Sequence, residues 1–436
     1  MLTLPLYTDF RKELEPLITK GHKAYTVALS GGVDSVVLLH LMAELHRENT
    51  ALSVDAVYVN HGLSEYAGQW QSFCETLSRS LAVPFKAIKV NIETQARTSL
   101  EAQARDARYD ALDTHSPKGS VLLLGQHLND QLETFFLRLK RGSGLQGLSA
   151  MQQQRVLSSG RVCFRPLLNV TRQQIELFAE QRGIQHITDD SNSDERFDRN
   201  FLRHQVIPVL NDRFQGFEKS AARSIRLLQQ QQSLLDEYTE TDLAHCQNKH
   251  GGLSCCAIKD FSDTRKANLV RAWLKQFTHQ MPSENQLKQI IEQGLNAQAD
   301  AQLKICLASG QVRRHQHYWY FVTEQPIPKS CDINLETVTL SDGRTLRLKT
   351  GKGIRLPTAD EQVKVVFNCP QARIKPLKKP GSNTLKHWFK DAKVAPWVRA
   401  QVPLIFYNDQ LVQVVGYFIS ATHSSDEGIF WESENE

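Results

Sequence analysis

The chain has 436 residues, 41% of them hydrophobic and 23% charged, and Lys plus Arg exceed Asp plus Glu by 52 − 47 = 5. That length predicts two or three domains, and the composition excludes a mainly disordered chain, a collagen-like chain and a coiled-coil rod. No run is long and apolar enough to span a bilayer and no secretory apolar region follows Met1, so a cytoplasmic chain without membrane association is expected.

Eight cysteines are spread along the chain without a C-x-x-C pair. Reduced, mostly buried thiols are expected, with neither a disulfide framework nor a Cys-rich metal site.

The first part alternates strand and helix. Residues 24–29 read as a buried strand ending in Ser30-Gly31-Gly32, and the following helix is nearly apolar all round through residues 36–45, as suits packing on a sheet. Strands are predicted over 52–60, 85–92 and 121–124, and helices over 64–81, 99–115 and 129–139. The alternation predicts a doubly wound parallel sheet, with ligands at the carboxyl ends of its strands. Residues 141–147 read as loop. A helix capped at Thr171 runs to about Arg182, and Asp189-Asp190-Ser191-Asn192 is a loop signal. A long helix is predicted over 214–238. Its glutamine-rich core (Gln229 to Gln232) suggests an interdomain connector. Further on, 271–277 is helical, Pro282-Ser283 caps another helix, and 312–322 is strand-like. Hairpins are predicted over 337–348 and over 404–419, turning at Asn408-Asp409. The expected division is a first domain over 1–213, a helical linker over 214–248, a middle domain over 249–330 and a basic C-terminal domain over 335–436.

The strongest local signal is Ser30-Gly31-Gly32-Val33-Asp34-Ser35 between the first strand and its helix. Glycines allow close backbone approach, and the helix start points free N–H groups at an anion. Asp34 would repel a bare phosphate, so it fits best beside Mg²⁺ or another cation. The competing reading is an ordinary strand-to-helix turn. The loop lacks the Gly-Lys-Ser/Thr of a Walker A motif. It resembles the PP-loop of the N-type ATP pyrophosphatases, a resemblance that implies ATP cleaved between its α- and β-phosphates.

Three more constellations follow. In His127 to Thr134, Leu128, Leu132, Phe135 and Leu139 form an apolar stripe, leaving Asp130 and Glu133 close together on the other face. Two such carboxylates can hold Mg²⁺ or grip an ammonium; a solvated helix face is the alternative. In Glu101 to Tyr109, Arg105 and Arg108 lie one turn apart and could neutralise phosphates or simply pair with surface acids. Asp189 to Asn192 precedes Arg199-Asn200-Phe201-Leu202-Arg203, a capped loop before a basic helix start. Between Arg373 and Arg399 the only acid is Asp391, and His387, Trp388 and Trp397 are interleaved with the basic residues. That pattern suits contact with nucleic-acid phosphates, with the tryptophans in the core.

Together, in this order, these motifs closely resemble the tRNA(Ile)-lysidine synthetase family, whose C-terminal block is matched by residues 381–416. The resemblance implies an α/β PP-loop domain followed by two smaller α+β domains that bind tRNA. It implies ATP, Mg²⁺, free L-lysine and an isoleucine tRNA with a CAU anticodon as reactants and partners. Carried onto this sequence, Ser30, Gly31, Gly32, Val33, Asp34, Ser35, His61, Arg105 and Arg108 would bind ATP, and Asp34 and Asp130 the metal. Glu133 and Asn200 would bind lysine, and Asp34, Asp130, Glu133 and Arg203 would serve catalysis. Lys378, Lys379, Lys386, Lys390, Lys393 and Arg399 would contact tRNA. A PP-loop tRNA thiolase, an amide-forming synthetase and a non-catalytic tRNA-binding module are the rival readings. The oligomeric state is open, with a dimer as one alternative.

Overall fold

A six-stranded sheet organises the first part of this computed structural model, which describes residues 5–60, 62, 66–90, 100–188, 194–278, 280–296 and 303–434. Its order is β3 (Phe85–Lys89), β2 (Ser53–Asn60), β1 (Ala24–Ala28), β4 (Val121–Leu123), β6 (Val162–Phe164), β5 (Gln154–Val156). All neighbours are parallel except the β5–β6 hairpin. Chain order reverses direction at β1, which has β2 on one side and β4 on the other. This is the switch point at which α/β sheets open a crevice for ligands.

The central strand is fixed by its burial. Tyr25, Thr26 and Val27 are fully buried, and α2 (Val33–Glu48) buries ten of its residues, which explains its nearly continuous apolar sequence. A first helix ahead of the elements predicted from the sequence, α1 (Pro5–Thr19), adds Tyr7, Phe10, Leu14 and Leu17 to the same core at helical spacing. The remaining helices of this unit are α3 (Ala67–Ser80), α4 (Leu100–His115), α5 (Leu128–Lys140), α6 (Leu145–Leu148), α7 (Arg172–Gln181), α8 (Asp198–Phe201), α9 (Ile207–Arg213) and the start of α10 (Phe217–Cys246). The short helix α6 lies where the sequence reads as loop, and the β5–β6 hairpin lies in a stretch to which the sequence assigns no element. The glutamine-rich stretch of α10 is more than a connector. Ile225 packs with Leu132 and Ile207, and Gln229 Nε2 donates to the carbonyls of Ser149 (3.0 Å) and Met151 (2.8 Å).

The chain divides into two compact units, Met1–Glu237 and Tyr238–Glu436. The second begins with a four-stranded sheet ordered β7 (Leu253–Ser254), β10 (Tyr318–Val322), β9 (Gly310–His315), β8 (Lys304–Leu307). The 312–322 run is therefore two strands, turning at Gln316 with φ 56°. Helices α11 (Cys255–Ile258), α12 (Asp263–Lys275) and α13 (Glu284–Asn296) accompany it. Gly294 of α13 lies against the buried Trp319 ring, where a Cβ would fall 2.4 Å from Cζ2.

The rest of the unit is mainly strands. β11 (Cys331–Asp332), β14 (Val363–Val366), β17 (Leu404–Tyr407), β18 (Gln410–Val414) and β19 (Phe418–Ile419) form one sheet; β12 (Val338–Thr339), β13 (Thr345–Ile354) and β20 (Ser424–Ser433) form another. β15 (Arg373–Ile374) and β16 (Asn383–Thr384) pair beside α14 (Leu385–Asp391). The hairpins predicted at 341–343 and at Asn408-Asp409 are present.

All eight thiols are free, but only Cys74, Cys163, Cys246 and Cys255 are buried, fewer than expected. No helix among the described residues is long and apolar enough to cross a membrane.

Candidate active site

The Ser30–Ser35 loop closes at the carboxyl end of β1 and opens α2. Ser35 Oγ accepts from Ser30 N (3.1 Å) and donates to Gly32 O (3.0 Å), which folds the loop on itself. Gly31 has φ +91°, and its carbonyl accepts from Ile187 N at 2.9 Å. A Cβ at Gly31 would fall 2.7 Å from Ile187 Cδ1, so glycine is required by both conformation and space. Gly125, just past β4, is constrained by space alone: a Cβ there would come within 3.0 Å of the Asp34 carbonyl.

A cleft of about 580 Å³ opens over this loop. Among its lining residues are Ser30, Gly32, Val33, Asp34, Arg108, His127, Asp130, Arg172 and Arg203. The sequence motifs from β1, α4, α5 and the 199–203 segment thus meet at the switch point.

The acids are held by a defined network. Asp34 Oδ2 accepts from Arg172 at 2.6 Å, while Asp34 Oδ1 is buried without a hydrogen bond, 3.6 Å from His127 Nε2. Burial pushes the Asp34 carboxyl above its usual range, against the opposing pull of His127 and Arg172. Asp130 Oδ2 accepts from the His127 backbone N–H at 3.0 Å and lies 3.5 Å from His127 Nε2. Asn129 N donates to His127 Nδ1 at 3.2 Å, so a neutral His127 carries its proton on Nε2, between the two carboxylates. No group of three His, Cys, Asp or Glu is gathered for a metal among the described residues. Mg²⁺ needs fewer, because it commonly uses one or two carboxylates together with substrate phosphates. The unpartnered Asp34 oxygen beside Asp130 fits that requirement.

Glu133 departs from expectation. It is wholly buried. Arg203 Nε and Nη2 reach its two oxygens at 2.7 and 3.1 Å, and Arg199 Nε lies 3.1 Å from Oε2. An ammonium could reach this carboxylate only by displacing a guanidinium, so Glu133 orients Arg203 rather than facing the cleft. Asn200 is also buried, with Nδ2 donating to Asp194 O at 2.9 Å, and it does not line the cleft. Neither residue is therefore placed as a lysine ligand.

Arg203 reaches Glu133 from a π-helical turn, Leu202–Val206. Pro208 has no N–H for the carbonyl of His204, which accounts for a widened ladder just before it.

Arg108 lines the cleft with no hydrogen-bond or carboxylate partner within reach among the described residues, and burial pushes its guanidinium below its ordinary range. Arg105 is exposed and lies over the Tyr109 ring at 5.7 Å, outside the cleft lining. His61 and Asp189 to Asn192 lie outside the described residues. Sequence reasoning missed Arg172 and gave no role to His127 and Arg199, although both open motifs it singled out. The capping pair Thr171 and Gln174 marks the helix start that presents Arg172, and so could have flagged it.

In the second unit Lys378, Lys379, Lys386, Lys390 and Lys393 are exposed, with Lys379 paired to Asp391 at 2.9 Å. Arg399 is a structural residue instead, donating twice to Val394 O at 2.9 and 2.8 Å. Trp388 is core, but Trp397 is half-buried and packs on Tyr320, ring centroids 5.7 Å apart.

Cys74 lies beneath the loop, 3.4 Å from where a Gly31 Cβ would be, and burial pushes its thiol up to about 12. No cysteine lines the cleft among the described residues.

Residues 6–210 match the family model of the PP-loop domain, 253–320 that of the TilS substrate binding domain and 363–431 that of the TilS substrate C-terminal domain. The chain is 39% identical over 429 residues to the tRNA(Ile)-lysidine synthase of Vibrio parahaemolyticus, covering 97% of each. It is 38% identical over 405 residues to that of Shigella flexneri, covering 90% of this chain and 92% of that one. Among solved structures, a U34-tRNA thiolase from Methanococcus maripaludis aligns with 51% of this chain and 78% of its own, at 16% identity and a TM-score of 0.43.

Proposed function

Because the chain belongs to the tRNA(Ile)-lysidine synthase family, we propose that its cleft adenylates the wobble cytidine of an isoleucine tRNA with a CAU anticodon and joins free L-lysine to it. The product is lysidine, and the by-products are AMP and pyrophosphate. One observation carries this reading to the level of residues: the Ser30–Ser35 loop, Asp34, Asp130, Arg108 and Arg203 line one cleft at the switch point of the sheet.

The N–H groups that open α2, with the hydroxyl of Ser30, receive the ATP phosphates, while Ser35 Oγ holds the loop closed on Gly32 O. The cytosine O2 attacks the α-phosphorus and pyrophosphate leaves. Arg108 and Arg203 offset the charge that develops on the phosphoryl oxygens. The lysine side chain, after losing its ammonium proton to water, attacks C2 as the neutral amine and expels AMP, a better leaving group than the original oxygen. Asp34 and Asp130 would hold Mg²⁺, which supplies charge neutralisation at the phosphates. A lysine ammonium entering the cleft meets three carboxylates among the described lining residues: Asp34, Asp130 and Glu176. The reacting base must be unstacked to reach the loop, which suits an anticodon loop. The exposed lysines between 378 and 393 supply contacts to tRNA phosphates. A tRNA substrate fits a cytoplasmic location for the activity.

The test is a single turnover with α-labelled ATP, Mg²⁺ and unmodified tRNA, without lysine. Label retained on the RNA and released as AMP on adding lysine supports the reading. Loss of that label in Asp130→Asn, with tRNA binding intact, supports the assigned site. Label that never reaches RNA in the wild-type protein refutes adenylation of the base.

A further inference from the structure

Arg172 occupies a position that the reaction scheme leaves without a task. Its guanidinium is shared between two carboxylates: Nη1 donates to Asp34 Oδ2 at 2.6 Å, and Nε donates to Glu176 Oε1 at 2.7 Å. Its main chain is fixed. Arg172 N donates to Asn129 Oδ1 at 2.9 Å, and the preceding Thr171 caps α7 through reciprocal bonds with Gln174. Only the side chain is free to swing, and it lines the same cleft as the phosphate loop and Arg108.

Two cations compete for Asp34. A divalent ion at Asp34 and the Arg172 guanidinium on the same carboxylate would repel each other across a short distance in a partly buried site. The other Asp34 oxygen is buried and unpartnered, so Arg172 alone compensates that charge by a hydrogen bond. Glu176, one helical turn along, keeps hold of Nε when Nη1 lets go of Asp34. The guanidinium then turns toward the cleft with a bidentate face suited to phosphate oxygens.

We propose that Arg172 is a transfer residue. It neutralises Asp34 while the cleft is empty, and passes to the β- and γ-phosphates, the departing pyrophosphate, when a cation takes Asp34. The proposal rests on the reading of the cleft as an ATP pyrophosphatase site. It concerns the pyrophosphate half of ATP and is independent of the nucleophile.

Two titrations of the full-length protein test it, both without tRNA or lysine. Mn²⁺ binding to the nucleotide-free protein is followed by the loss of the free-ion EPR signal, and inorganic pyrophosphate binding by calorimetry. Arg172→Ala should tighten Mn²⁺ binding about tenfold and weaken pyrophosphate binding about tenfold. Arg172→Lys keeps one charge but cannot span Asp34 and Glu176, so it should move both constants the same way by less. Opposite signs distinguish transfer from support. Weakening of both ligands, in an Arg172→Lys protein with wild-type melting, makes Arg172 merely structural and overturns the proposal. Weaker pyrophosphate with unchanged Mn²⁺ overturns it too, leaving a simple phosphate ligand. Wild-type lysine incorporation into tRNA is measured alongside. Its failure would remove the ligase reading without touching these two constants.

Discussion

Arg203 and Glu133 form a two-pronged ion pair at 2.7 and 3.1 Å in which the carboxylate is wholly buried and the guanidinium reaches the cleft. The pair fixes which way Arg203 points. Removing one partner of a buried pair leaves an uncompensated charge, a cost of about 3–5 kcal/mol. Arg199 remains near Oε2 here, so Arg203→Ala should cost about 2 kcal/mol, or about 6 °C in melting temperature for a unit of this size. Replacing the whole cluster, as Glu133→Leu with Arg199→Met and Arg203→Met, should restore much of the melting temperature but not adenylation. Calorimetry and single-turnover AMP formation check the two halves.

Two glycines in the cleft should fail in different ways. Gly31→Ala must adopt φ +91° and push against Ile187 Cδ1, the end of a flexible side chain. Gly125→Ala meets the main chain of Asp34, which cannot move without dislodging the start of α2. Both should weaken ATP binding, Gly125→Ala more. Adding Ile187→Ala should partly rescue Gly31→Ala and do nothing for Gly125→Ala. Equilibrium binding of ATP to each variant measures the order.

Acid sensitivity in the second unit should centre on Glu361. Arg355 donates to both its oxygens at 2.6 Å and Thr358 N donates at 2.8 Å, which holds the carboxyl down at about 2. A depressed folded-state value stabilises the fold above the unfolded value near 4.5, and that contribution disappears as pH falls from there toward 2. Glu361→Gln should therefore melt lower than wild type at neutral pH, with the gap closing below pH 4.5 and vanishing only as pH reaches about 2. Melting curves across that range decide it.

The basic C-terminal residues should separate into two kinds. Exchanging Lys378, Lys386 and Lys390 for Glu should leave melting unchanged and flatten the salt dependence of tRNA binding, by about 0.7–0.9 in log–log slope for each phosphate no longer neutralised. Arg399→Ala should instead lower the melting temperature, since it strips both donors from Val394 O.

The parts of the site legible in the sequence are those encoded locally. Ser30 to Ser35 carries its glycines and helix start within six residues, and the nearly continuous apolar run of α2 announces a helix buried on the sheet; the α5 stripe is kept only in part, with Leu128 and Leu132 buried but Leu139 exposed and Glu133 of the opposite face buried. What sequence does not supply is the partner across the fold. Helical spacing places Asp130 and Glu133 near each other, but the cover over Glu133 comes from Arg203, 70 residues away. Arg172 lies 138 residues from Asp34, and only the sheet brings them together. Elements too short for periodicity are also hidden: β5 and β6 have three residues each, and β9 and β10 merge into one run because their turn uses Gln316 rather than glycine. The two tryptophans look alike in sequence. Trp388 is buried with its indole N–H on Ile374 O, whereas Trp397 lies half-covered against Tyr320.

The most direct measurement is incorporation of labelled lysine into unmodified isoleucine tRNA with ATP and Mg²⁺, with methionine tRNA and a wobble cytidine-to-uridine variant as controls. Incorporation into the isoleucine tRNA alone is expected, with one AMP and one pyrophosphate released per lysine joined. Folded protein that forms AMP on that tRNA yet joins no lysine, or joins lysine equally to the uridine variant, would contradict it.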